Sequence, residues 1–170
     1  GDPKLLMKSA LALERQMLGG GWASQDHSDR TVVFAPPAEP LSTGELDRLY
    51  GLPFTRRAHP SYKDKIPAAE MIQFSIASHR GCAGGCSFCA LALHQGRRIS
   101  SRSRRSIEDE ARALARHPDW KGSISDVGGP SANMWGASCA LDPARCRRSS
   151  CLAPSICPYF RDDQDGLADM

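Results

Sequence analysis

Apolar residues along this chain recur with two periods, one helical and one alternating. Leu5, Leu6, Leu11, Leu13, Met17 and Leu18 fall at loosely helical spacing among Lys8, Glu14 and Arg15, and Gly19-Gly20-Gly21 would end such a segment. A packing helix is expected there. Trp22 to Arg30 reads as polar and turn-like, whereas Thr31-Val32-Val33-Phe34-Ala35, closed by Pro36-Pro37, predicts a short strand. Ser42-Thr43-Gly44-Glu45 has the form of a capping box ahead of Leu46, Leu49 and Tyr50, so a helix is expected up to Gly51. The proline-punctuated stretch 52–63 predicts an ordered loop. Its Arg56, Arg57, His59 and Tyr62 are candidates for substrate contact, beside the plainer reading of a solvated basic loop.

Met71 to Ser78 alternates apolar with small or polar residues, the period of a strand with one buried face. Further on, Ser106 is expected to cap the clearest helix, with Glu108, Asp109 and Glu110 in its first turn and Pro118 beyond its end. Ile107, Ala111 and Leu114 share one face of it. That face should pack on a following strand, 122–127, which runs into Gly128-Gly129-Pro130. Strand, loop, helix and strand make one βαβ unit, so the fold class is α/β.

Between the first strand and that helix lies Arg80-Gly81-Cys82-Ala83-Gly84-Gly85-Cys86-Ser87-Phe88-Cys89. Three thiolates this close converge on one point, and the glycines permit positive φ and close approach to a bulky inorganic body. An iron-sulfur cluster is the candidate. A four-iron cluster held by three thiolates keeps one iron open to another ligand. The rival is zinc, which would need a fourth protein ligand such as His79 or His94.

Composition narrows the field. With 170 residues, a net charge of +3 and 24% charged residues, the chain has the balance of an ordinary domain, and nucleic-acid binding is not implied. Five arginines between Arg97 and Arg105 form a local positive run, read as a solvated loop, as contacts to a cofactor or cluster, or least of all as an RNA footprint, for which interleaved aromatics are missing. No apolar run approaches bilayer length. The seven cysteines are an odd number and split as three plus four, the second set being Cys139, Cys146, Cys151 and Cys157. Clustered thiols point to metal in a reducing compartment, the cytoplasm. Four thiols could fill a second zinc or iron-sulfur site, with Arg145, Arg147 and Arg148 offsetting thiolate charge and prolines 143, 154 and 158 stiffening the loop; free structural cysteines are the alternative.

The string CAGGCSFC resembles the CxxxCxxC signature of the radical S-adenosylmethionine (SAM) superfamily, including Phe88 before the last cysteine. HPSYKDKIPAAEMIQFSIASHRGCAGGCSFCALALHQGRRISSRS, ISDVGGPSANMWG and CRRSSCLAPSICPYF resemble the YgiQ-type branch, over Ala35 to Phe160. That resemblance implies the first βα units of a partial (βα)6 barrel, preceded by a small α/β extension. The chain is short for the whole barrel and begins Gly-Asp-Pro-Lys, so it is expected to be a truncated piece: 1–70 the extension, 71–136 the start of the core, and 137–170 a cysteine-rich segment with a frayed end.

The resemblance further implies a [4Fe-4S] cluster on Cys82, Cys86 and Cys89, with SAM on the open iron. Cleavage of SAM would give a 5′-deoxyadenosyl radical that abstracts hydrogen from an unknown substrate. Phe88 would pack near the adenine, or serve as a plain core aromatic. Carbonyls of Gly128 and Gly129 would accept from the SAM amino group; Pro130 stands where many relatives carry an acid, and Asp126 faces the same cavity or simply ends its strand. An electron donor such as a flavodoxin or ferredoxin is implied as partner. The ribose- and adenine-binding elements of such proteins lie on later strands, so the chain alone is expected to be inactive. The competing function is a non-catalytic zinc or iron-sulfur structural protein.

Overall fold

In the computed structural model, which describes all residues except 1, 18, 131, 143 and 144, α1 (Pro3–Met17) begins where proline is best tolerated. Asp2 accepts from the Lys4 amide (2.9 Å), and the Gly20 amide closes the other end on the carbonyls of Arg15 and Gln16 (both 3.0 Å). The expected packing face is not used in this way: Leu5, Leu6 and Leu11 are exposed, and the one buried residue is Gln16, which donates to the Ala35 carbonyl. Leu18 lies outside the described residues.

The polar stretch expected as a turn is instead a strand. β1 (Ala23–His27) pairs antiparallel with β2 (Arg30–Phe34), from Ala23 opposite Phe34 to His27 opposite Arg30. Ser28, at φ 51°, makes the tight connection, and the Thr31 hydroxyl donates to Asp26 (2.7 Å). Pairing with the β-branched neighbour overrides the weak intrinsic preference of Ala-Ser-Gln-Asp-His.

α2 (Thr43–Tyr50) carries the expected capping box: Ser42 Oγ accepts from the Glu45 amide (3.4 Å), and the Glu45 carboxylate accepts from the Ser42 amide (2.7 Å). The segment expected as one long strand opens with a helical turn, α3 (Ala69–Ile72), whose Met71 and Ile72 are exposed. Only β3 (Ser75–Ala77) and the two-residue β4 (His79–Arg80) are extended. Then follow α4 (Leu91–Gln95), β5 (Ser100–Ser101), α5 (Arg104–Leu114), β6 (Asp126–Gly128), β7 (Ser138–Cys139), β8 (Phe160–Arg161) and α6 (Gln164–Ala168).

The chain forms two units. One comprises residues 1–40, 81–98 and 139–160, and so holds α1, the β1–β2 hairpin and both cysteine sets; the other comprises residues 41–80, 99–138 and 161–170.

The second unit contains the βαβ motif. β3 and β6 run parallel, Ser75 opposite Asp126 and Ala77 opposite Gly128, with α5 on the crossover between them, while β4 pairs antiparallel with β5. The result is mixed α/β, and no closed barrel forms among the described residues. Phe74, just ahead of β3, and Ile76 of β3 pack with Ile107 and Leu114 of α5, as the helical spacing predicts, and Trp120, Ile124, Trp135 and Met170 surround them. The Phe74 ring meets Trp120 edge-on at 5.3 Å. Burying each such side chain contributes about 1.5–3 kcal/mol.

Two expectations are corrected here. Ser103, not Ser106, caps α5: its hydroxyl accepts from the Ser106 amide (3.1 Å), so Arg104 and Arg105 enter the first turn, and the acids pair with arginines along the helix. The C-terminal stretch is not frayed. Asp163 caps α6 by accepting from Gly166 (3.0 Å), Arg104 donates to the Asp169 carbonyl (2.9 Å), and Met170 reaches the core.

The arginine run is also not uniformly solvated. Arg102 is 2% exposed, stacks over Tyr50 at 4.2 Å, donates to the Ala77 carbonyl (2.9 Å) and to Ser106, and pairs with Glu110. It ties β3 to α5 where an apolar residue would leave carbonyls unpaired.

Candidate functional site

The cysteine loop leaves β4 through Gly81, whose φ of 90° needs a residue without Cβ. The C-terminal end of α4 closes the loop: the Gly81 amide donates to Gln95 Oε1 (3.3 Å) and the Cys82 amide to the Gly96 carbonyl (3.0 Å). Cys82 is buried, Cys86 exposed and Cys89 half-buried, with the Cys89 amide on the Cys86 carbonyl (3.1 Å). A side chain at Gly84 would stand 3.4 Å from the Cys82 sulfur and 3.7 Å from the Cys86 sulfur. Both sulfurs therefore lie against one side-chain-free position.

Cys89 sits on the turn beyond them, and among the described residues no three His, Cys, Asp or Glu side chains gather as a ready site for a metal ion. His94 is exposed on α4. His79 is buried in the other unit, with Nδ1 2.9 Å from Ser78 Oγ and its ring packed on Gly129. The donor set, three closely spaced thiols of which Cys86 and Cys89 reach solvent, is of the kind that can hold an iron-sulfur cluster. Phe88 is 91% exposed and is therefore not a core aromatic.

The second cysteine set lies in the same unit. Cys139 is exposed, Cys146 and Cys151 are half-buried and Cys157 is buried, with the Cys157 amide on the Cys151 carbonyl (2.7 Å). Burial pushes the Cys151 thiol up, Arg97 opposes that, and Cys157, Cys139 and Cys146 add to it. The Arg148 guanidinium braces the loop through the carbonyls of Ser150 (2.9 Å), Ala153 (3.2 Å) and Ser155. Pro143, expected to stiffen this segment, lies outside the described residues.

In the other unit, the Gly128 carbonyl accepts from the Ser78 amide (2.7 Å), extending the β3–β6 ladder. The space that a Gly129 side chain would take is filled by the His79 ring. A protein side chain, with no ligand involved, already explains that glycine. Asp126 is exposed, its carboxylate 3.7 Å from where a Gly128 side chain would stand.

The candidate substrate loop is largely engaged in structure. Arg56 donates to the carbonyls of Gln73 (3.2 Å) and Ser75 (2.7 Å) and pairs with Glu110, Arg57 pairs with Asp119 (2.9 Å), and His59 bonds Ser61 (2.7 Å), leaving Tyr62 exposed. A cleft of about 570 Å³ lies in this unit, lined by Tyr50, Phe54, Arg56, Arg105, Glu110 and His117 among others, with no cysteine in its wall. Sequence reasoning missed this cleft because its lining comes from a helix, a loop and another helix far apart in the chain.

The family described as Radical SAM N-terminal matches residues 4–75, ending ahead of Cys82. A UPF0313 protein of Methanocella arvoryzae is 50% identical over 145 residues, 84% of this chain and 24% of the relative. One from Geobacter sulfurreducens is 53% identical over 138 residues, 80% of this chain and 23% of the relative. The UPF0313 protein YgiQ of Salmonella typhimurium is 50% identical over 143 residues, 82% of this chain and 20% of the relative. The chain thus spans about a quarter of the length of these curated relatives or less.

Proposed function

We propose that this chain, which belongs to the YgiQ-type proteins of the radical SAM superfamily, carries the loop on which such a protein holds a [4Fe-4S] cluster. Cys82, Cys86 and Cys89 would be its ligands, leaving one iron for SAM. The observation that carries this reading is that a side chain at Gly84 would stand within 3.7 Å of both the Cys82 and the Cys86 sulfur. When bound, the cluster would supply one electron for the cleavage of SAM to methionine and a 5′-deoxyadenosyl radical able to take hydrogen from a substrate.

This chain's residues contribute binding and positioning. Gln95 and Gly96 anchor the loop's first strand end through backbone amides, and the exposed ring of Phe88 offers an apolar face beside Cys89 for the adenine. A first unit of a barrel is supported by the parallel β3–β6 pair with its crossover helix. No helix among the described residues is long and apolar enough to cross a membrane, and the electron donor is proposed as a small redox protein of the flavodoxin or ferredoxin kind.

A second cluster on Cys139, Cys146, Cys151 and Cys157 is left out of the proposal. The test is spectroscopic. Adding SAM to the anaerobically reconstituted, reduced protein should change its electron-spin resonance signal, and the change should disappear in the Cys82→Ala/Cys86→Ala/Cys89→Ala variant. An iron-loaded protein indifferent to SAM would contradict the open-iron reading.

A further inference from the structure

Four observations in the first unit converge on the spacer Ala83-Gly84-Gly85 between the first two cysteines. The Cys151 amide donates to the Ala83 carbonyl (2.9 Å). Gly85 has φ 59°, and the space its side chain would take is occupied by the Ser149 carbonyl, with the Ser150 Cα 3.1 Å away. The segment that makes these contacts is itself braced: Ser150, 5% exposed, accepts from the amides of Leu152 (3.0 Å) and Ala153 (2.9 Å), and Arg148 spans three of its carbonyls. The Cys157 amide on the Cys151 carbonyl closes it.

We infer that residues 148–157 are a positioning element for the cluster loop, acting through the backbone of Ser149 and Cys151 to set the spacer between Cys82 and Cys86. This rests on the cluster reading proposed above and adds a role for the second cysteine-rich stretch that does not use its thiols as ligands. A three-residue spacer with two glycines has many conformations available in isolation, and ordering it in advance removes that entropy from the act of binding. One donor on Ala83 and one carbonyl wedged against Gly85 hold it at both ends. Gly84, left between them without a side chain, faces the two sulfurs.

The role separates from metal ligation by chemistry at one residue. Cys151→Ala removes the thiol and keeps the amide; Cys151→Pro removes the amide. Gly85→Ala drives a Cβ into the Ser149 carbonyl without touching residue 151. Each variant is reconstituted anaerobically with iron and sulfide beside wild type and the triple cysteine variant, and scored for iron resistant to a chelator, for the electron-spin spectrum, and for hydrogen exchange at the Cys151 amide before loading. In a Trp22→Phe background, fluorescence of Trp120 and Trp135, both packed on the core of the other unit, checks that this unit remains folded.

Cys151→Ala is expected to match wild type, while Gly85→Ala and Cys151→Pro lose about tenfold or more in chelator-resistant iron, the usual effect of removing support from a metal ligand. Unloaded Gly85→Ala should exchange the Cys151 amide faster than wild type. The inference is overturned if Cys151→Ala loses iron as fully as Cys151→Pro, which makes the thiol the active part, or if Gly85→Ala exchanges and loads like wild type. If wild type and the triple variant hold equal iron, the cluster reading fails instead, and the exchange rates of the unloaded chains still decide whether the clamp exists.

Discussion

The imidazole of His79 occupies the space in which a side chain on Gly129 would stand. His79 ends the run from β3 and Gly129 follows β6, so the contact locks together the two strand ends of the parallel pair. Gly129→Ala should therefore destabilise the protein by about 1–3 kcal/mol, the usual penalty of overpacking. His79→Ala in the same chain should recover part of that loss, because it empties the contested space. Thermal melts of the two single variants and the double variant measure the coupling; additive effects would contradict the contact.

Burial holds His79 below the ordinary histidine value of 6.5, with Nδ1 facing Ser78 and Nε2 lacking a hydrogen-bond partner among the described residues. The folded state therefore binds this proton less readily than the unfolded chain. Stability from the neutral ring is fully present above pH 6.5 and is lost as pH falls from there toward the depressed folded value. Denaturant midpoints of wild type should drop more steeply below that pH than those of His79→Gln. Parallel profiles would place the proton uptake elsewhere.

Arg102 is the most consequential residue of the arginine run for folding. Arg102→Met leaves Glu110, the Ala77 carbonyl and the Ser106 hydroxyl without their partner, and should cost about 3–5 kcal/mol, reduced to the extent that Arg56 still pairs with Glu110. Arg102→Lys should recover little, since an ammonium cannot reproduce the fork that makes three hydrogen bonds to Ser106 while reaching Glu110. Chemical denaturation of both variants checks this, and full recovery by lysine would show that charge alone matters.

What was legible in the sequence depended on whether the signal was local. The Ser42–Glu45 box is read from four adjacent residues and appears as expected, and the Ile107-Ala111-Leu114 face packs where its period places it. β1 was not legible, because its five residues are strand only through pairing with β2. Ser103 and Ser106 both have capping chemistry; the choice between them follows from Arg102, whose guanidinium takes the Ser106 hydroxyl. Gly128 and Gly129 read alike in the sequence, yet one carbonyl serves the sheet ladder and the other glycine makes room for an imidazole. The cysteine loop was legible as a set of donors, but its contact with Ser149 and Cys151 joins residues more than sixty positions apart and has no local signature.

The central claim, that Cys82, Cys86 and Cys89 hold a four-iron cluster, is tested most directly by counting iron, sulfide and zinc on the anaerobically purified protein with and without those three thiols. The account predicts that replacing them by alanine removes about four irons and as many sulfides per chain, with no zinc involved. Zinc in place of iron, no sulfide, or an iron count unchanged by the triple replacement would contradict it.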